Sequence, residues 1–355
     1  MRILCTGMSG FMAGRFFQYL AREQPEVQVY GFDRAYGQDV RNQRSVEEAV
    51  KGMDVVFHFA ALTHIDSSIA EPEPFMDTNV NGTLNLLQAC TKRGVKLVQI
   101  SSSEIYGSLT QAEYEAGMKQ DESFRLNPQS PYAASKVAQD VMCTAWHHTY
   151  GTDVRVLRPF NQWGPGQDIR KMIPKFFQQV MEGKPITVYG EGQSTRDWVW
   201  VDDFVEAVWK SVELPPGCVV NVATGVSYSV LEVIERIQKL VGKWSQVVLV
   251  HHTDEREGYV KHLRGDGSQI QSLLGWQPKM NLEEGLERLY EWIQTNGAVC
   301  YRGGEGSIHS KPTPQTKVLL DDTYPRGTLG MGKIFVPTPP VPLGVACTPN
   351  LGSAS

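Results

Sequence analysis

The sequence has no cysteines paired at metal or redox spacing, no long apolar run and no excess of basic charge. Each absence removes a class of function. Six cysteines, Cys5, Cys90, Cys143, Cys218, Cys300 and Cys347, are scattered over 355 residues. None stands in a C-x-x-C pair, which argues against a zinc knot or a dithiol redox centre. They read as reduced cytosolic thiols that pack as small hydrophobes. No apolar stretch reaches the roughly 18–20 residues that a membrane span needs. The formal net charge is −5 and the isoelectric point is about 5.9, without the basic surplus of a nucleic-acid binder. His147-His148 and His251-His252 have no third ligand at coordinating spacing, so no metal site is expected. Met1–Gly7 runs straight into a strand-like pattern, which predicts a cytoplasmic chain without a signal peptide. There is no internal repeat.

What the sequence does have is unevenly placed. Residues 301–355 hold eight of the 20 prolines and eight of the 33 glycines. That density is typical of low-complexity segments. Five basic and three acidic residues there leave a net charge of −7 on the first 300 residues. The folded, working part is therefore expected in those 300. The end is expected to be a flexible Pro/Gly-rich tail, with an extended strap along the core as the alternative.

Short apolar runs at Arg2–Cys5, Val27–Phe32, Val55–Phe59, Leu97–Ile100 and Val154–Leu157 read as buried strands. Helical spacing fills the gaps at Phe11–Arg22, Ser45–Lys51, Phe75–Arg93 and Pro131–Tyr150. Such alternation predicts an α/β fold, a Rossmann-type doubly wound parallel sheet with ligands at the carboxyl ends of its strands. Beyond residue 160 a helix at about 171–183, strands at Thr187–Tyr189, Val219–Val222 and Val247–Val250, and helices from Asp203, at Ser229–Val241 and near Leu282–Thr295 are expected. They predict a smaller, interleaved α/β substrate lobe over 161–300, with parts of 196–228 returning to the dinucleotide-binding domain of 1–160.

The first strand runs into Thr6-Gly7-Met8-Ser9-Gly10-Phe11-Met12-Ala13, a glycine-rich turn opening a helix. Gly7 permits the turn, Gly10 lets backbone approach a pyrophosphate, and Ala13 lets helix and sheet pack closely. The helix start offers free N–H groups and the positive end of its dipole. Gly10 lies 23 residues before Asp33, near the spacing of a carboxylate on the adenosine ribose. That carboxylate favours NAD, because a 2′-phosphate would be repelled; Arg34 keeps NADP open.

Ser130-Pro131-Tyr132-Ala133-Ala134-Ser135-Lys136 is the most informative stretch. Ser130 suits an N-cap and Pro131 the first helical position. Tyr132 and Lys136 then share one helix face. A tyrosine of pKa ~10 is a poor base, and lowering it to ~7 requires about 4 kcal/mol. A nearby ammonium and a nicotinamide cation both favour the phenolate, which can take an alcohol proton while hydride leaves. The fourth strand ends in Ser101-Ser102-Ser103-Glu104, where a doubly wound sheet places its chemistry.

These motifs, with His58-Phe59-Ala60-Ala61, Thr63-His64-Ile65-Asp66-Ser67-Ser68, Thr78-Asn79-Val80-x-Gly82-Thr83 and Arg196-Asp197-Trp198, give a family resemblance over about residues 1–296. The chain resembles the extended short-chain dehydrogenase/reductases acting on nucleotide sugars, and within them the dTDP-glucose 4,6-dehydratases. The resemblance implies cofactor contacts from Gly7, Gly10, Phe11, Met12, Asp33, Arg34, Asp39, Val40, Phe59, Ala60, Ala61, Thr63, Asn79, Tyr132 and Lys136. It implies that Ser102 bonds the sugar hydroxyl beside Tyr132. Glu104 would remove the C5 proton once C4 is oxidised; water then leaves from C6 and hydride returns there. Asn161, Arg196 and Arg256 would hold the substrate diphosphate, Arg196 through its planar donor fork.

Three departures stand out. Ser103 occupies the position of the aspartic acid that protonates the departing hydroxyl in dTDP-glucose dehydratases. Arg158-Pro159-Phe160-Asn161-Gln162-Trp163-Gly164-Pro165-Gly166-Gln167 is closer to a 4-ketoreductase or epimerase loop. Glu257 follows Arg256 where the family usually has proline. A 4-epimerase, a UDP-glucuronate decarboxylase and a 4-ketoreductase therefore stay open beside dehydration, as does a non-catalytic dinucleotide sensor, against which the intact Ser102, Tyr132 and Lys136 argue. The resemblance also implies a homodimer paired through the helices at Phe75–Arg93 and Pro131–Tyr150.

Overall fold

A computed structural model describes residues 1–242, 250–254 and 258–296. The tail of 301–355, Arg256, and most of the strand expected at Val247–Val250 lie outside these residues. The strands are β1 (Arg2–Thr6), β2 (Gln28–Phe32), β3 (Val55–His58), β4 (Lys96–Ile100), β5 (Val154–Pro159), β6 (Asn161–Trp163), β7 (Ile186–Tyr189), β8 (Thr195–Trp200), β9 (Val219–Val222), β10 (Ser227–Ser229) and β11 (Val250–Thr253). Six of them make a parallel sheet in the order β2-β1-β3-β4-β5-β9. The order reverses at β1, so a crevice opens outside the carboxyl ends of β1 and β3.

Burial on both faces explains the continuous apolar runs. Ile3 and Cys5 of β1 and Val55 and Phe57 of β3 point into one core, with Phe16 and Leu20 of the helix Phe11–Glu23. Leu4 and Val56 point into the other, with Leu86, Leu87 and Cys90 of the helix Gly82–Arg93. Phe16 is fully buried, its ring 4.7 Å from that of Phe57. Burying one such side chain contributes about 1.5–3 kcal/mol.

The segment read as one helix from Phe75 to Arg93 is broken. A π-helical turn, Met76–Asn81, precedes the regular helix from Gly82. It turns Thr78 and Asn79 inward, and both are buried. Gly82 is required where the helix starts, because a Cβ there would lie 2.7 Å from Val40 Cγ2.

The second lobe has its own core, built from Trp163, Phe177, Val188, Trp200, Ile234 and Leu286 among others. It carries two small sheets, β10-β8-β6 and β11-β7. The chain crosses between lobes repeatedly. The helix Val201–Lys210 packs on Phe11–Glu23 and β9 joins the main sheet, whereas β10 pairs with β8. Asp197, fully buried, locks this crossing: its carboxylate accepts from Thr224 N at 3.0 Å, Thr224 Oγ1 at 2.7 Å, Gly225 N at 2.9 Å and Gly265 N at 3.2 Å.

Candidate active site

A cavity of about 1220 Å³ runs from the glycine turn to the second lobe. Its first third is built by backbone. Gly7 has φ +69°, and a Cβ there would meet Ala60 N and Cα at 2.8 Å. Only glycine lets β1 turn this close to the end of β3. Gly10 begins the helix Phe11–Glu23 without a side-chain cap, so that helix start can donate to an anion. Asp33 sits at the end of β2, where one carboxylate oxygen accepts from Ser9 N at 3.0 Å and the other from Ala35 N at 2.8 Å. These bonds fix the carboxylate on the cavity wall beside Arg34. Phe11, Met12, Val40, Phe59, Ala60, Ala61 and Thr63 line the same stretch. The donors, the bare helix start and the carboxylate together fit a dinucleotide.

Two candidates stand back from the wall. Asp39 is gripped by Arg41, whose Nη2 lies 2.7 Å from Asp39 Oδ2, and this pairing holds the Asp39 carboxyl below its usual range. Its neighbour Val40 faces the cavity instead. Asn79 is fully buried behind the wall; it donates to Leu62 O at 3.0 Å and Ser135 Oγ at 2.8 Å, and accepts from Leu62 N at 2.8 Å. Asn79 thus sets the backbone of 60–63 and the helix carrying Tyr132. His58 belongs to the same buried scaffold, between Thr6 Oγ1 at 2.7 Å and Thr83 Oγ1 at 3.0 Å. Burial and Lys136 push His58 down to about 3, so it stays neutral.

Ser102, Ser103, Glu104, Tyr132 and Lys136 converge on the middle of the cavity. Ser130 caps the helix Pro131–Tyr150 by accepting from Ala133 N at 3.1 Å, which fixes the start of the face that carries Tyr132 and Lys136. Ser102 Oγ accepts from Glu104 N at 3.2 Å and is also a hydrogen-bond partner of the Tyr132 phenol. Burial, the largest influence, pushes that phenol up to about 12; Ser102 works against the rise and Glu104 adds to it. Lys136 lines the cavity on the same helix face as Tyr132. Its Nζ donates to Ile100 O at 2.8 Å, and burial pulls Lys136 down to about 7, with Asp140 opposing. Glu104 is buried, with Oε2 lacking a hydrogen-bond partner among the described residues. Burial raises its pKa above the usual carboxylate range, and Arg196 and Lys171 draw it back. A carboxyl raised in this way is a better proton acceptor than an ordinary one, and can both take up and release a proton.

The far third belongs to the second lobe. Asn161 and Arg196 line it, brought together because β6 and β8 pair in register, Asn161 opposite Trp198. The Arg196 guanidinium is anchored on the carbonyls of Thr195 (2.9 Å) and Val260 (2.8 Å). Gln162 and Gln167 of the loop Phe160–Gln167 also line this part, as do Lys171, Lys175, Tyr189 and Lys261, which were not singled out from the sequence. The two lysines at the start of the helix Met172–Glu182 had a readable signal: cations one turn apart at a helix N-terminus.

Residues 21–289 match the family model described as GDP-mannose 4,6 dehydratase. A dTDP-glucose 4,6-dehydratase of Streptomyces niveus is 35% identical, covering 84% of this chain and 94% of its own length. The structure of DesIV, a dTDP-glucose 4,6-dehydratase from Streptomyces venezuelae with NAD and TYD bound, superposes with a TM-score of 0.76 at 32% identity, covering 83% of this chain and 98% of that one. A UDP-glucose 4-epimerase of Thermotoga maritima, solved with UDP-glucose, superposes at 0.77 with 26% identity, covering 83% and 99%. The chain therefore belongs to the GDP-mannose 4,6 dehydratase family of extended short-chain dehydrogenase/reductases, and it is an enzyme of that family.

Proposed function

We propose that this protein is an NAD-dependent nucleotide-sugar 4,6-dehydratase, a lyase. The observation that carries the reading is the meeting of Ser102, Glu104, Tyr132 and Lys136 between a dinucleotide cradle and a cationic second lobe. Gly7, Gly10–Met12 and Asp33 would hold the cofactor, and Arg196 with Asn161 the substrate diphosphate. Bound there, NAD would supply the acceptor for the C4 hydride and its later donor at C6, where addition is balanced by a solvent-derived proton at C5. Tyr132 takes the C4 hydroxyl proton, with Ser102 bonded to the same oxygen. The C4 ketone acidifies C5–H, and Glu104 removes that proton. Ser103 is no acid, so Glu104 itself is the group placed to pass the proton to the C6 hydroxyl, which leaves as water. The raised pKa of Glu104 suits this double duty.

The second reading, a 4-epimerase, draws on Ser103 and on the loop Phe160–Gln167. Assaying products from dTDP-, UDP-, GDP- and CDP-sugars separates the two. Loss of one water from an accepted sugar is expected. Conserved mass with every accepted sugar would overturn dehydration, and loss of carbon dioxide would indicate decarboxylation.

The working unit is read as a homodimer. Met76 is exposed, and Val80 and Leu84 are half-buried, at four-residue steps on the Met76–Arg93 segment. Val137, Val141 and Ala145 repeat that pattern on the helix Pro131–Tyr150. Two apolar stripes on adjacent helices can pair with a second copy. Light scattering at micromolar concentration is expected to give twice the chain mass of 39.7 kDa. A monomer contradicts the assignment.

A further inference from the structure

We propose that the buried Asp140–Arg158 ion pair is a positioning unit for catalysis: it ties the Ser102–Tyr106 turn to the Tyr132/Lys136 helix and sets a carboxylate beside Lys136. The inference rests on the catalytic reading of Tyr132 and Lys136 given above.

Asp140 follows Lys136 by four residues on the helix Pro131–Tyr150, hence on the same face. Its side chain is 1% exposed, and that of Arg158, on β5, is 8% exposed. The guanidinium grips the carboxylate at both oxygens, Nε to Oδ2 at 2.9 Å and Nη2 to Oδ1 at 2.8 Å. Its remaining nitrogen, Nη1, donates to Tyr106 Oη at 3.0 Å and to Glu122 O at 2.9 Å. Tyr106 in turn donates to Asn221 Oδ1 of β9 at 2.7 Å. Tyr106 lies two residues beyond Glu104 in the same short turn. One guanidinium thus joins the segment bearing Glu104, the helix bearing Tyr132 and the strand that leads to Asn161.

Stability alone is a weak reason for such a pair, because removing two charges from water offsets most of their attraction. Its orientation supplies another reason. Asp140 lies one helical turn from Lys136 and acts on its charge, and the guanidinium bonds Tyr106 and the Glu122 carbonyl. The groups around Lys136 are Tyr132, Asp140 and Cys143 on its own helix, His58 of β3, and the Ile100 carbonyl of β4; Cys90 approaches Cys143 from the helix Gly82–Arg93. His58 is held neutral, and burial keeps both thiols protonated. Asp140 is therefore the anion of this set. Burial lowers the Lys136 pKa to about 7, and Asp140 works against that fall.

The test follows the Lys136 Nζ resonance by NMR in the full chain, labelled with ¹⁵N-lysine and assigned by Lys136→Met. In Asp140→Asn and in the double variant Asp140→Leu/Arg158→Met, the titration midpoint is expected to fall by about one pH unit. The alkaline limb of the turnover profile should fall with it, since Lys136 loses its proton as pH rises. Tyr106→Phe removes the hydroxyl link while leaving the charges, and is expected to lower kcat roughly ten- to hundredfold with KM and the midpoint little changed. The Leu/Met pair leaves no buried charge uncompensated and carries the test where Asp140→Asn does not fold. An unmoved midpoint in a folded variant overturns the proposal, and so does loss of fold in both, which would make the pair purely structural. The titration needs no substrate, so a shifted midpoint without any dehydration would sink the dehydratase reading alone.

Discussion

Tyr132→Phe is expected to cut turnover by about 10²–10⁴-fold, the usual worth of a positioned proton carrier. Dinucleotide affinity, followed by fluorescence titration, should stay within a few-fold. The ring is buried and its packing survives in phenylalanine; what goes is the oxygen shared with Ser102. Burial holds the phenol at about 12, so among the protein's own groups it is a proton holder. A cation close to it is what makes it a base, because a positive charge favours the phenolate. Turnover retained within threefold would remove Tyr132 from the chemistry.

Glu104→Gln should be comparably severe, about 10²–10⁴-fold in product formation. It should also be selective: wild-type protein working in D₂O places deuterium at C5 of the product, and the variant should place none. A variant that still loses water at the wild-type rate would assign the base elsewhere. The pH dependence has a definite sign. The base form of Glu104 is the unprotonated one, so activity rises with pH through a value above the ordinary carboxylate range. Stability runs the opposite way. A carboxyl whose folded pKa lies above its unfolded value binds more protons when folded, so its stabilising contribution is complete below the unfolded pKa and is lost as pH rises through the folded one. Glutamine carries no such loss, and Glu104→Gln should melt at a higher temperature than wild type at pH 7.5 but not at pH 4. Equal melting temperatures at both pH values would contradict the burial cost assigned to Glu104.

Much of this site was legible in the sequence, for particular reasons. Gly7, Gly10 and Asp33 are visible because a strand, a turn and a helix start dictate residue types at fixed spacing. Tyr132 and Lys136 are visible because a Ser-Pro helix start fixes their shared face. The central sheet was readable because strands buried on both sides show as unbroken apolar runs. The second lobe was harder. β6 and β10 have three residues each, too short for a period to register, and β8 carries charges in its first half that disguise a strand. The bond from Lys136 to the Ile100 carbonyl was not readable, because no side-chain pattern reveals a backbone partner. The π-helical turn at Met76–Asn81 was hidden because its residues keep helical spacing on either side.

The crossing locked by Asp197 has a consequence for how such enzymes can be recombined. Arg196, on the same strand, faces the cavity, while its neighbour staples a loop of the dinucleotide domain to the second lobe. Because β9 and the helix Val201–Lys210 support the first domain from sequence beyond residue 196, no single junction separates the two lobes. A substrate lobe grafted from a relative at one cut near residue 160 would bring a foreign edge strand and a foreign helix into the cofactor domain. Changing the sugar handled by this scaffold therefore calls for point substitutions on the cavity wall, or for exchange of paired segments, rather than for a cassette.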